Sequence, residues 1–139
     1  MRITDNFTVP AMDFSVAGQP SAAIKRKLKQ LGIDAGTIRR VSIATYEAEI
    51  NLVIHSMGGH IECEISPDGI RITISDEGPG IPDVDKAMTE GFSTASDEAR
   101  DMGFGAGMGL PNMSKNADEF SIESEVGKGT TIIMKFLVN

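Results

Sequence analysis

The sequence predicts an α+β two-layer sandwich, in which helices cover one face of a mixed, mostly antiparallel sheet. Two helical patterns come first, two alternating strands follow, and a glycine-rich stretch and a further helix precede a second pair of strands. The chain has 139 residues, of which 40% are hydrophobic and 24% charged, as is usual for one globular domain.

The first half of the chain carries two helical patterns behind a short apolar segment at 6–10, which fits an edge strand. The first helix is predicted to begin at Pro20, because proline is favoured in a first turn, and to stop at Gly32. The second is predicted over about 36–57. The apolar stripe of the first helix consists of Ile24, Leu28 and Leu31.

Four later segments alternate apolar and polar residues with the period of a strand. The segments 61–65 and 70–74 are joined by the turn "SPDG" and predict an antiparallel hairpin with one apolar face. The segments 119–126 and 130–138 flank a glycine turn and predict the last two strands.

The stretch between these hairpins predicts a short helix at 84–89, an irregular segment at 91–109 and a helix at 110–117. Nearly twenty residues without regular structure are unusual inside a compact domain unless they are functional. The segment 91–109 is therefore a candidate functional loop.

The charge and the cysteine content of the chain argue against some classes of protein. The net charge of −7 argues against direct nucleic-acid binding, which needs a basic face. The single Cys63 excludes an internal disulfide and, within an alternating strand, is expected to be a packed thiol. We found no apolar run of about 18 residues and no signal-peptide pattern, so we expect a cytoplasmic protein without a membrane segment.

The second helix carries polar residues at four-residue spacing. Glu47, Asn51 and His55 share one helical face. A carboxylate and an amide beside a cleft suit a general base and a Mg²⁺ ligand, although a solvated helix face fits equally. Glu49 points to another side and is the weaker candidate base, and His55 fits a structural role.

Two turns at strand ends carry candidate purine contacts. Asp76 ends a strand before "EGPG", and its carboxylate suits a purine amino group, while Gly78 and Gly80 allow a ring close to the backbone. Thr130, in "GKGTTI", suits a hydrogen bond to a base or to a bridging water. An ordinary acidic turn and an ordinary hairpin turn explain the same residues.

The stretch "GFGAGMGL", at 103–110, has glycine at every second position. It matches neither the Walker pattern nor the dinucleotide fingerprint. It runs into the helix predicted at Leu110, whose first N–H groups suit a phosphate. A loop that folds over a triphosphate and a simple surface loop both remain open at this point.

The four segments "EAEINLVIH", "DEGPGI", "GFGAGMGL" and "GKGTT" together resemble the N, G1, G2 and G3 boxes of the GHKL ATP-binding superfamily. That superfamily includes gyrase B, Hsp90, MutL and histidine kinases, and the resemblance spans about 40–135. Within it, the chain is similar to the bacterial anti-sigma-factor serine/threonine kinases, and most to the stressosome switch kinase type. The resemblance implies a Bergerat fold as one domain over 1–139, with an ATP lid at about 91–109.

The resemblance also implies roles for individual residues. Glu47 would be the general base, and Asn51 would hold Mg²⁺ against the phosphates of ATP. Asp76 would bind the adenine amino group, with Thr130 supporting the adenine end. The glycines that would shape the adenine pocket and the lid are Gly78, Gly80, Gly105, Gly107 and Gly109.

The function that the resemblance implies is ATP-dependent phosphorylation of a STAS-domain regulator in a bacterial partner-switching pathway. A sigma factor or a phosphatase would be a further partner, and a homodimer is a possible assembly. The alternative is a nucleotide-dependent binding module with little kinase activity. The presence of Glu47 favours the kinase, because ATP binding alone requires no base.

Overall fold

The computed structural model describes residues 2–10, 18–55, 58–76 and 109–138, which form three helices and five strands. The predicted α+β class is confirmed. The predicted short helix at 84–89 lies outside the described residues. In chain order the elements are β1 (Ile3–Pro10), α1 (Gln19–Gln30), α2 (Ala35–His55), β2 (Gly58–Ser66), β3 (Gly69–Asp76), α3 (Gly109–Asn116), β4 (Glu119–Glu125) and β5 (Gly129–Phe136).

The five described strands form one sheet in the order β1-β2-β3-β5-β4. The sequence predicted a mixed, mostly antiparallel sheet, and all four pairings of the described strands are antiparallel. The register puts Ile61 opposite Ile74, and Ile74 opposite Ile132, so the apolar residues of neighbouring strands share one face. The opposite face is polar and carries the Glu64–Arg71 ion pair.

The helices cover the apolar face of this sheet. Helix α2 contacts α1 and α3 as well as β1, β2 and β3, and α3 also contacts β4. Leu28, Val41 and Met113, one from each helix, are fully buried. The sheet contributes Ile61, Cys63, Ile65, Ile70, Ile72, Ile74, Ile132, Met134 and Phe136 to the same core.

The ends of the first two helices follow from local chemistry. Asp34 precedes α2 and accepts hydrogen bonds from the backbone N–H and the hydroxyl of Thr37, at 2.9 and 2.7 Å. These bonds hold the pKa of Asp34 below its ordinary value. Leu31, predicted on the buried stripe of the first helix, is 37% exposed because α1 ends one residue earlier.

Cys63 is a packed thiol, as predicted, because its side chain is 1% exposed within the core. Burial, and secondarily the nearby Asp5, raise the pKa of the thiol to about 12, so that it stays protonated at neutral pH. Across the described ranges, no helix combines the length and apolar character of a membrane span.

Candidate functional site

One end of the sheet gathers polar groups on the face that the helices cover. The backbone N–H of Thr130 donates to Asp76 Oδ1 at 3.2 Å. The hydroxyl groups of Thr130 and Ser124 lie 2.8 Å apart, and Gly59 stands opposite Asp76 on β2. The structure thus brings Asp76 and Thr130 together, although 54 positions separate them in the sequence.

Gly59 brings α2 close to this end of the sheet. A Cβ atom at Gly59 would lie 2.9 Å from Leu52 Cδ2 and would overlap the carbonyl oxygen of Ser75. Only a glycine lets the side chain of Leu52 approach the strand this closely. The C-terminal half of α2, which includes the half-buried Asn51, therefore packs against the strands beside Asp76.

Glu47 meets α3 near the start of that helix. Its side chain is half-buried, and Asn112 Nδ2 donates to Glu47 Oε1 at 3.5 Å. The carbonyl oxygen of Asn112 accepts a hydrogen bond from Asn116 Nδ2 at 2.8 Å. The helix begins at Gly109, which the sequence analysis assigned to the lid. The candidate base thus contacts the element that follows the glycine-rich stretch.

Glu49 is fully buried, and its carboxylate points to the start of α1. Its two oxygens accept the backbone N–H groups of Gly18 and Ser21, each at 2.5 Å. Gly18 is the N-cap residue of α1 and has no side chain to satisfy these donors. Glu49 therefore caps α1 from a different helix, which explains why it is unavailable as a base.

The pKa of Glu49 is raised from its ordinary value of 4.5. Burial is the largest cause, because it disfavours the charged form of the carboxylate. The hydrogen bonds from Gly18 and Ser21 act in the opposite direction and only partly offset it. Glu49 thus has a shifted pKa, but its hydrogen-bond partners are the backbone N–H groups that begin α1.

Other predicted site residues lie outside the described residues. These are Gly78, Gly80, Gly105 and Gly107, and the side chain of His55 is not described either. In the described part of the chain, no three His, Cys, Asp or Glu side chains converge as a metal site. Asn51 contributes an amide oxygen, a ligand type that Mg²⁺ accepts.

The contacts of Asn112 and Glu49 were not predicted from the sequence. Asn112 lies 65 positions from Glu47, and nothing in its local sequence marks the contact. A signal did exist for Glu49, because α1 begins with "GQP" and has no Ser, Thr, Asp or Asn at its N-cap position. A helix start without a cap requires an acceptor from elsewhere when it is buried.

Comparison with protein families matches residues 36–139 to the histidine kinase-, DNA gyrase B-, and HSP90-like ATPase family. The chain is 37% identical over 108 residues to the serine/threonine-protein kinase RsbT of Bacillus subtilis, covering 75% of both chains. It is 36% identical over 119 residues to the anti-sigma F factor of Clostridium novyi, covering 81% of this chain and 80% of the relative.

The fold also resembles a solved structure, the RsbU and RsbW domains of a Mycobacterium tuberculosis protein. The TM-score is 0.67 over 98% of this chain, with 17% sequence identity. This chain spans about a third of that structure's chain, at 32% coverage. At this identity the likeness concerns the fold alone.

Proposed function

From the premise that the chain belongs to the histidine kinase-, DNA gyrase B-, and HSP90-like ATPase family, we propose that it is an ATP-dependent protein serine/threonine kinase. Glu47 carries this proposal. Its carboxylate is half-buried beside α3 and, among the described residues, is bonded to the Asn112 amide and to no backbone group. Glu49 caps a helix, whereas Glu47 is left for proton transfer.

In the proposed reaction Glu47 accepts the proton of a serine or threonine hydroxyl on the protein substrate. The hydroxyl oxygen then forms a bond to the γ-phosphorus of ATP, and the bond from that phosphorus to the bridging oxygen breaks, which releases ADP. A positioned base of this kind contributes roughly 10²–10⁴-fold to a rate. Asn112 keeps the carboxylate oriented through its amide N–H.

Asn51 lies one helical turn from Glu47 and would hold Mg²⁺ through its amide oxygen. The donor set fits this ion, because Mg²⁺ takes oxygen ligands and commonly keeps only one or two from the protein. When bound, Mg²⁺ neutralises charge on the phosphates during transfer. The side chain of Asn51 is half-buried, so part of it remains accessible to an ion.

The adenine end is proposed to lie at Asp76 and Thr130. A carboxylate has about four acceptor sites, so Asp76 can hold the Thr130 N–H and also bind the adenine amino group. Gly78 and Gly80 would shape the pocket. A lid at about 91–109, with Gly105, Gly107 and Gly109, would cover the phosphates, all within a single domain over 1–139.

The proposed protein substrate is a STAS-domain regulator, with a sigma factor or a phosphatase as a further partner. The names of the relatives support a protein kinase and a sigma-factor partner, since one is a serine/threonine-protein kinase and others are anti-sigma F factors. The choice of a STAS-domain substrate rests on the superfamily resemblance of the sequence. We place the reaction in the bacterial cytoplasm, and a homodimer is compatible with the proposal. Direct binding of nucleic acid is not part of the proposal, because the net charge of the chain is −7.

A second candidate function is a nucleotide-dependent binding module with little kinase activity. The anti-sigma F factor relatives favour it, because that name describes the holding of a sigma factor. The two candidates share the nucleotide site and differ in whether Glu47 acts on a hydroxyl group.

One experiment separates these functions. The purified protein is incubated with Mg²⁺, γ-labelled ATP and a STAS-domain protein from the same genome, beside the same STAS protein with alanine at its acceptor residue. We expect label on the unaltered STAS protein only. ATP-dependent binding without label transfer would instead select the binding module. Absence of Mg-ATP binding in calorimetry would contradict both.

Asp76→Asn tests the adenine site. The new amide NH₂ faces the adenine amino group, so we expect ATP affinity to fall about tenfold or more, with a smaller change for GTP. Ser124→Ala is the control, because it removes a neighbouring hydroxyl and leaves the carboxylate. An equal loss for both nucleotides would contradict a purine contact at Asp76.

A further inference from the structure

Positive charge is concentrated in one part of this acidic chain. Residues 19–43, which include α1 and the first half of α2, carry six Lys or Arg and one Asp, a net charge of +5. All other residues together carry seven Lys or Arg and nineteen Asp or Glu, a net charge of −12. The net charge of −7 therefore conceals a basic segment, although one of its cations, Arg40, pairs with Asp118.

A groove of about 680 Å³ lies within this segment, between α1 and the N-terminal half of α2. Its lining combines apolar side chains and exposed cationic ones. The apolar side chains include Ile38, which belongs to the core, and Ile43, which is 37% exposed. The cations of the lining are Lys25, Lys29 and Arg39.

These three cations form no ion pair with any described residue. Cations on the sheet differ from them, since Arg71 pairs with Glu64 and Lys135 with Glu119. A cationic rim that is unpaired within the described residues, around an apolar floor, complements a surface that is acidic and partly apolar. Charge complementarity thus defines the kind of partner that fits the groove.

The groove leads along α2 to the candidate base. Arg39, Ile43 and Glu47 follow each other at four-residue spacing, so they are neighbours along the helix. Glu47 lies about 6 Å beyond Ile43 along the helix axis, at a rise of about 1.5 Å per residue. A protein that fills the groove and extends about one helical turn further along α2 would have its own surface beside Glu47.

We propose that this groove docks an acidic, partly apolar surface of the protein that receives the phosphoryl group, an inference that rests on the proposed kinase function. The groove fixes the acceptor protein on α1 and α2, and its serine or threonine then reaches Glu47. Affinity for the acceptor protein and affinity for ATP thus depend on different residues.

The test compares two variants that each remove three positive charges. Lys25→Gln/Lys29→Gln/Arg39→Gln neutralises the groove, and Arg2→Gln/Arg71→Gln/Lys135→Gln neutralises the sheet. The probe is the STAS-domain protein from the same genome, both unaltered and with alanine at its acceptor residue. Calorimetry gives the Kd for the alanine form, and transfer assays give the KM for the unaltered form.

At low ionic strength we expect the Kd and the KM for the STAS-domain protein to be about tenfold higher in the groove variant than in the parent. The affinity for Mg-ATP should stay within about twofold of that of the parent. The sheet variant should match the parent. Added salt should reduce the difference, because exposed charges are screened. Ile43→Ser should also weaken binding, whereas Leu137→Ser, at a side chain that is 62% exposed, should not.

The outcomes distinguish the docking proposal from the kinase function. Transfer by the parent with equal constants in the two charge variants would overturn the docking site and leave the kinase function intact. Groove-dependent binding without any transfer would overturn the kinase function, and with it the acceptor role of the docked protein, and would leave the groove as a binding surface of the binding module. Absence of both binding and transfer, or groove-dependent binding only to duplex DNA or to phosphatidylglycerol vesicles, would overturn the docking proposal.

Discussion

The two sides of α2 that carry Glu47 and Glu49 use the same type of side chain in opposite ways. Glu49 is fully buried, and its oxygens hold two backbone N–H groups at 2.5 Å. Glu47 is half-buried, and the amide of Asn112 lies 3.5 Å from its carboxylate. Two positions along one helix thus separate a capping group from a candidate base.

A shifted pKa therefore does not by itself identify a catalytic carboxylate. Strongly shifted pKa values concentrate at functional sites, but structural partners also produce them. Here the raised pKa belongs to Glu49, and its cause is burial against the start of α1. The hydrogen-bond partners of the two carboxylates distinguish their roles better. Two backbone N–H groups hold Glu49 in place, whereas the single long contact with Asn112 leaves Glu47 accessible.

The largest expected effect comes from Glu47→Gln. The amide cannot accept the hydroxyl proton, so phosphoryl transfer to the STAS-domain protein should fall about a thousandfold. Calorimetry should show an unchanged affinity for Mg-ATP, and urea unfolding should show an unchanged stability, because Glu47 caps none of the three described helices. Label transfer at the parental rate would remove Glu47 from the mechanism.

Glu49→Ala should affect stability. The substitution leaves the buried N–H group of Ser21 and the half-buried N–H group of Gly18 without their acceptor, so the free energy of unfolding should fall by about 3 kcal/mol. Urea denaturation measures this loss.

Glu62→Ala is the control for that measurement, because Glu62 is a half-buried carboxylate on the polar face of the sheet. It should change stability by under about 1 kcal/mol. If the two variants lost the same stability, Glu49 would have no special structural role and the contrast with Glu47 would disappear.

The raised pKa of Glu49 predicts a pH dependence of stability. The folded state keeps the proton of Glu49 above pH 4.5, whereas the unfolded state has already released it. Its contribution to stability is therefore complete below the ordinary pKa and is lost as pH rises through the folded pKa, by at most about 1.4 kcal/mol per pH unit.

Glu49→Gln isolates this contribution, because glutamine does not titrate. Urea unfolding of the parent and of Glu49→Gln from mildly acidic to neutral pH should give a stability difference, parent minus variant, that falls as pH rises. A difference that rises with pH would mean that hydrogen bonding outweighs burial at this carboxylate.

Much of the fold was predictable because its signals are local. The alternation at 61–65 and 70–74 predicted β2 and β3, and α2 begins and ends within two residues of its predicted bounds. The prediction that Leu31 is buried was wrong, because the apolar stripe continues to Leu31 in the sequence while α1 ends at Gln30. Helix ends depend on capping, which a hydrophobic pattern does not contain.

The sequence indicated residues of the candidate site only through their spacing and through the superfamily resemblance, and their roles stay predictions. Four-residue spacing put Glu47 and Asn51 on one face, and the superfamily resemblance suggested the role of Asp76. The hydrogen bond between Asp76 and Thr130 joins residues on different strands, and that of Asn112 joins two helices. Such contacts follow from sheet register and helix packing, which the whole fold determines.

Asn112→Ala is expected to have the smallest effect. It tests whether the contact with Asn112 orients the carboxylate of Glu47. A hydrogen bond of 3.5 Å is long, so its loss should lower kcat only about threefold. The KM for ATP should stay unchanged, because Asn112 acts through the orientation of Glu47. Steady-state kinetics at varied ATP separate these two constants.

Asn116→Ala provides the control, because it removes the side chain that donates to the carbonyl oxygen of Asn112 and leaves the contact with Glu47. A kcat close to that of the parent in this variant would assign the loss in Asn112→Ala to the side-chain contact. Equal losses of kcat in the two variants would instead mean that disturbing the end of α3 causes the loss. Glu47 would then be positioned by α2 alone. In the double variant Glu47→Gln/Asn112→Ala, the second substitution should add no further loss, because a positioning residue has no effect once the group that it orients is gone.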